Sequence, residues 1–177
     1  MNVRTVPPSD LAIRKTAYAI VFIALGVALS PFTSFPVGIA KINPTQHFLN
    51  VMIAVLLGPA WSVGCAAATA LARLLLGTGT ILAFPGGMIG ALLSGIAYSL
   101  TRRRLAAAIG EVLGTGILAS LACALWVAPV ILHRSIALFA LGASFTASSL
   151  AGAAIALAML STLGKAGLLP GFGDHRR

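Results

Sequence analysis

The sequence predicts an all-α membrane protein, a bundle of six membrane-spanning helices with both termini in the cytoplasm. Three observations carry that prediction. Hydrophobic residues make up 59% of the 177 residues and charged residues only 8%. Soluble domains carry roughly 25% charged residues, so this chain has too few charges to cover a water-facing surface. The apolar residues fall in six runs separated by turn formers. The basic residues sit in short clusters between those runs, which is how membrane orientation is set. Composition therefore excludes a disordered chain, a secreted disulfide scaffold and an ordinary soluble enzyme. The net charge of +9 invites a nucleic-acid reading, but the clusters form no continuous basic face.

A spanning helix needs about 20 apolar residues. The first run, about 16–30, stops at Pro31. A signal peptide is the rival reading, because Arg14 and Lys15 precede an apolar stretch. Five further apolar segments and the lack of a small-residue cleavage site before Pro31 favour a span. Residues 31–44 (PFTSFPVGIAKINP) are rich in turn formers and form a loop. The second run, 45–57, ends at a tight reversal, Gly58-Pro59. The third covers 60–76. A glycine-rich loop, GTGTILAFPGG at 77–87, follows.

The fourth run covers 88–100 and is closed by Arg102, Arg103 and Arg104. The fifth, 105–132, is long enough to tilt or to kink near Pro129. His133, Arg134 and Ser135 make the next turn, and the sixth run covers 136–163. A polar segment at 1–13 and a basic tail at 164–177 flank the helical domain at 14–163. Both ends are expected to be mobile and without a function of their own. Six crossings put Arg4, Arg14, Lys15, Arg102, Arg103, Arg104, Lys165, Arg176 and Arg177 on one side, which the positive-inside rule makes cytoplasmic. Runs two, three and four are short, so five or seven crossings remain open.

Polar residues at membrane depth are few, and each is informative. Glu111 is the only acid between Asp10 and Asp174. It can bind a ligand, or it can anchor a helix contact. Gln46, His47 and Asn50 open the second run. The His47–Asn50 spacing places both on one helical face, where amide and imidazole groups donate and accept. Lys41 and Asn43 precede them. Arg73, near the end of the third run, is expected to snorkel to the interface. Phe84 and Trp126 are candidate stacking partners for a flat ligand, although Trp126 also suits an interfacial belt. Cys65 and Cys123 lie inside apolar runs and read as small buried hydrophobes. The small residues of run six read as bundle packing. No paired-carboxylate site, HExxH or G-x-S-x-G is present, and no G-x-x-x-x-G-K-[ST] occurs. No catalytic set or cofactor site can be assembled, so a small binding cavity is the better reading.

Several runs together resemble one family. IALGVALSPF (23–32), PVGIAKINPTQHFLNV (36–51), LLGPAW (56–61), RLLLGTGTILAFPGGMIGALLSG (73–95) and GEVLGTG (110–116) look like ThiW. ThiW proteins are substrate-binding S components of energy-coupling factor (ECF) vitamin transporters. The resemblance implies a six-helix bundle that binds one small vitamin precursor near the outer face, under lids formed here by residues 31–44 and 77–86. It implies a transmembrane coupling subunit and two cytoplasmic ATPases as partners, with toppling in the membrane to release substrate. An Ala-x-x-x-Ala motif on the first helix contacts the coupling subunit, and Ala24 and Ala28 match it. The implied substrate is the thiazole moiety of thiamine, 4-methyl-5-(2-hydroxyethyl)thiazole. Chemistry and position then assign its polar contacts to Gln46, His47, Asn50 and Glu111, and its flat wall to Phe84 or Trp126. Two alternatives stand beside this one: an S component for thiamine or a pyrimidine precursor, and a structural subunit that binds no ligand.

Overall fold

The computed structural model describes residues 8–37 and 40–169, and the side chains of 10–36 and 42–169. The side chain of Lys41 and the two ends, 1–7 and 170–177, lie outside the described residues. The described chain is helical apart from one small hairpin. Its long helices are α1 (Pro8–Thr33), α2 (Pro44–Leu56), α3 (Pro59–Leu75), α4 (Ala83–Thr101), α5 (Arg104–Ile131) and α6 (Leu138–Lys165). Between α1 and α2, β1 (Phe35–Val37) and β2 (Ala40–Ile42) pair antiparallel with Phe35 opposite Ile42.

Among the described residues, four helices are long and apolar enough to cross a membrane: α1, α4, α5 and α6. Helix α2 has 13 residues and α3 has 17, about 20 and 26 Å at 1.5 Å per residue. Helix α2 forms the centre of the bundle. It packs against all five other long helices, and ten of its 13 residues are buried. Its polar residues Thr45, Gln46, His47 and Asn50 are among those buried, and so face protein rather than lipid. Helix α1 lies outside, against α2 and α3. Only 17% of its most apolar window is buried.

The structure differs from the sequence reading in five places, the first being that α1 begins at Pro8, inside the segment read as a polar flank, rather than near residue 16. Helix α1 continues through Pro31 to Thr33. Proline forfeits one backbone bond there, while the Ser30 and Thr33 hydroxyls donate to the carbonyls of Gly26 and Leu29. The 31–44 segment contains the hairpin rather than an irregular loop. Helix α4 begins at Ala83, five residues before the expected start, because Pro85 is tolerated in a first turn whose N–H groups have no helical partner. Helix α5 contains two π-helical stretches, Gly114–Ala119 and Cys123–Val127. Pro129 falls just after the second, where the hydrogen-bond register has already shifted, and the helix continues to Ile131.

Glycine lets α4 and α5 meet backbone to backbone. A Cβ on Gly114 would lie 2.9 Å from the Gly90 Cα, and one on Gly110 would meet the Leu93 carbonyl at 2.6 Å. Small residues allow this approach where helix packing, not water, drives association.

Candidate substrate-binding site

The site is built on the first two turns of α2. Asn43 caps that helix. Its Oδ1 accepts the Gln46 N–H at 3.2 Å, which satisfies one of the four free donors of a helix N-terminus. Asn43 is itself held twice. Its Nδ2 donates to Ser30 Oγ at 3.0 Å, and its backbone N–H donates to Ser148 Oγ at 2.8 Å. The cap thus ties α1 and α6 to the entrance of α2.

Gln46, His47 and Asn50 project from that fixed turn. All three are at most 8% exposed. Gln46 Nε2 donates to the Ala83 carbonyl at 3.2 Å, and its Oε1 accepts from Arg73 Nη1 at 2.7 Å. Asn50 Nδ2 lies 3.0 Å from both the Gly87 carbonyl and Glu111 Oε1. His47 Nδ1 is 2.8 Å from the same Glu111 oxygen. Because that oxygen already accepts from an amide, His47 Nδ1 is the donor, and Nε2 is left for other partners.

Glu111 is fully buried on α5. Thr115, one turn further on, places Oγ1 3.0 Å from the Gly86 carbonyl and 3.2 Å from Glu111 Oε1. The carbonyls of Ala83, Gly86 and Gly87 spend one lone pair inside α4 and offer the second here. The first turn of α4 is therefore an acceptor rail along one wall. Glycine at 87 and 90 clears that wall: a Cβ on Gly90 would strike Thr115 Oγ1 and lie 2.7 Å from Glu111 Oε1.

Gln46, His47 and Thr115 border a cavity of about 40 Å³ whose lining also includes Asn43, Arg73, Phe145 and Ser148, while Asn50 and Glu111 hold His47 and Thr115 without being part of that lining. That volume holds about three water molecules. A ring-sized ligand therefore needs the walls to part.

The structure groups some of the residues singled out in the sequence and separates others. It joins His47, Asn50 and Glu111 in one network and places Gln46 beside it, bonded to Arg73 and Ala83 instead; of these four, Gln46 and His47 line the cavity. It does not bring Phe84 or Trp126 to the cavity. Trp126 is 66% exposed on the outer face of α5, and Phe84, although half-buried, is not in the lining. The aromatic wall is Phe145 of α6, which nothing in its apolar run distinguished. Arg73 does not snorkel. It is 2% exposed and turned into the cavity, because α3 ends beside the first turn of α2, where Gln46 waits as an acceptor. Run six does more than pack, since Ser148 holds the α2 cap. On α1 the small residues divide: Gly26 faces Thr69 and Leu49, while Ala24 and Ala28 are exposed.

A model of the thiamine-precursor transporter protein family (ThiW) matches residues 16–166. The chain belongs to the ThiW family. The matched region contains every residue of the ThiW cavity described above. As a ThiW protein the chain is a transporter of a thiamine precursor, and its long apolar helices suit a membrane. No curated protein and no solved structure gives a significant match to it.

Proposed function

We propose that this chain is the membrane-embedded S component of an ECF-type transporter, capturing hydroxyethylthiazole for ATP-driven uptake by partner subunits. The observation that carries this reading is the cavity between α2, α3, α4, α5 and α6, where polar groups converge beside an aromatic ring. Ligand sites join an apolar wall to a few fixed polar groups. His47 Nε2, Gln46 and Thr115 offer partners for the ring nitrogen and the hydroxyl, and Phe145 offers a face for the ring. The Ala24 and Ala28 face on α1 stands open to a coupling subunit. The cavity lies at the Ala83 end of α4, about 28 Å along that helix from Arg102. With the arginines in the cytoplasm and six crossings, the cavity opens to the outer face and both termini are cytoplasmic.

Equilibrium binding to the purified protein in detergent tests this. The expected result is saturable binding of hydroxyethylthiazole that neither thiamine nor hydroxymethylpyrimidine displaces. Displacement by either competitor gives the site to another precursor. No binding of any of the three contradicts substrate capture and leaves a structural subunit.

A further inference from the structure

Arg73 is the strongest charge in the cavity that the capture of a neutral thiazole alcohol does not use. The residue is 2% exposed. Its one hydrogen bond within the site goes to a neutral amide oxygen, Gln46 Oε1. Its Nε is buried with no partner. Glu111, the only acid of the helical core, is engaged by His47 and Asn50 instead. A buried charge is costly unless it is paired. A guanidinium offers planar, forked donors that match an oxyanion. Arg73 borders the same cavity as His47 and Phe145, so a ligand seated there can reach it.

We infer that Arg73 makes this cavity selective for a thiazole whose side chain ends in an anionic oxygen group, a carboxylate or a phosphate monoester, over the neutral alcohol. This deepens the capture reading and rests on it. The ring lies toward Phe145 and His47, and the anion lies against Arg73 beside Gln46. Gln46 supplies the geometry. Its Nε2 is held by the Ala83 carbonyl, which fixes Oε1 as the acceptor that orients the guanidinium.

The test is calorimetric binding of three probes to the full chain in detergent: hydroxyethylthiazole, its phosphate monoester and the corresponding thiazole acetate. The inference predicts that at least one anion binds about tenfold or more tightly than the alcohol, the gain expected of a charge-assisted bond. Which of the two anions wins distinguishes phosphate from carboxylate. The preference is lost in Arg73→Gln and partly kept in Arg73→Lys. Gln46→Glu guards against a variant that fails to fold. A carboxylate at 46 pairs with Arg73 internally while giving up the bond to the Ala83 carbonyl, so this variant, shown to be folded by its melting transition, loses the anion preference. An alcohol that binds as tightly as both anions overturns the inference and leaves substrate capture standing. An anion preference that survives in Gln46→Glu also overturns it. If a folded wild-type protein binds none of the three, the capture reading falls and this inference falls with it.

Discussion

Glu111 holds the site together at the scale of single residues. One of its carboxylate oxygens is shared by His47 and Asn50, from a different helix. Glu111→Ala leaves His47 Nδ1 buried without this acceptor and takes one of two acceptors from Asn50 Nδ2, which keeps the Gly87 carbonyl; a buried donor left unsatisfied costs about 1–3 kcal/mol. The expected outcome is a clear drop in thermal midpoint in detergent. Glu111→Gln keeps an acceptor at that position and is expected to fall between the two. Equal midpoints for wild type and the alanine variant would show that the network contributes nothing to stability. Much of this cluster was legible in the sequence. A lone acid at membrane depth, and a His and an Asn one turn apart, are costly unless used. Arg73 was misread because its sequence position, near a helix end, suits snorkelling equally well. Only the packing of α3 against α2 turns it inward. Phe145 and Ser148 had no label at all, since an aromatic residue and a serine within an apolar helix are ordinary bundle material.

At the scale of elements, α2 depends on close approach by its neighbours. Gly152 of α6 lies against the first turn of α2, where an added Cβ would be 2.7 Å from both His47 Cβ and the Phe48 nitrogen. Gly152→Val therefore pushes α6 away from the turn that carries the site. Overpacking of this kind costs about 1–3 kcal/mol, and the thermal midpoint should fall along with thiazole affinity. Gly90→Ala acts more locally. Its methyl group meets Thr115 and Glu111, so ligand affinity should fall further than the midpoint does. Equal ligand affinity in Gly90→Ala and wild type would remove Glu111 and Thr115 from the site. Helix existence and order followed directly from the apolar runs. The ends did not, because Pro31 and Pro85 read as stops while each costs a helix little where it lies. The π-helical stretches of α5 have no periodic signature against a continuous apolar background.

At the scale of the whole molecule, the two ends of the bundle differ in chemistry. Arg104 Nη1 donates to the Leu160 carbonyl at 2.8 Å, so the start of α5 and the end of α6 share one end of the bundle with the arginine cluster. The cavity lies toward the other end of α4. Reporter domains fused to the N- and C-termini should both be active only as cytoplasmic reporters, and an exported terminus would contradict the six-crossing arrangement. The six apolar runs already pointed to a bundle. The sequence marked the second run as short, but it did not show that this helix is enclosed at the centre, because burial depends on the neighbours. The central claim is that the cavity around α2 is where substrate is held. Its most direct test is hydroxyethylthiazole affinity in His47→Ala and Asn50→Ala, each shown to be folded by its melting transition. The account predicts a loss of about tenfold or more in each, as expected when a buried hydrogen-bonding group is removed. Affinity unchanged from wild type in both folded variants would contradict it.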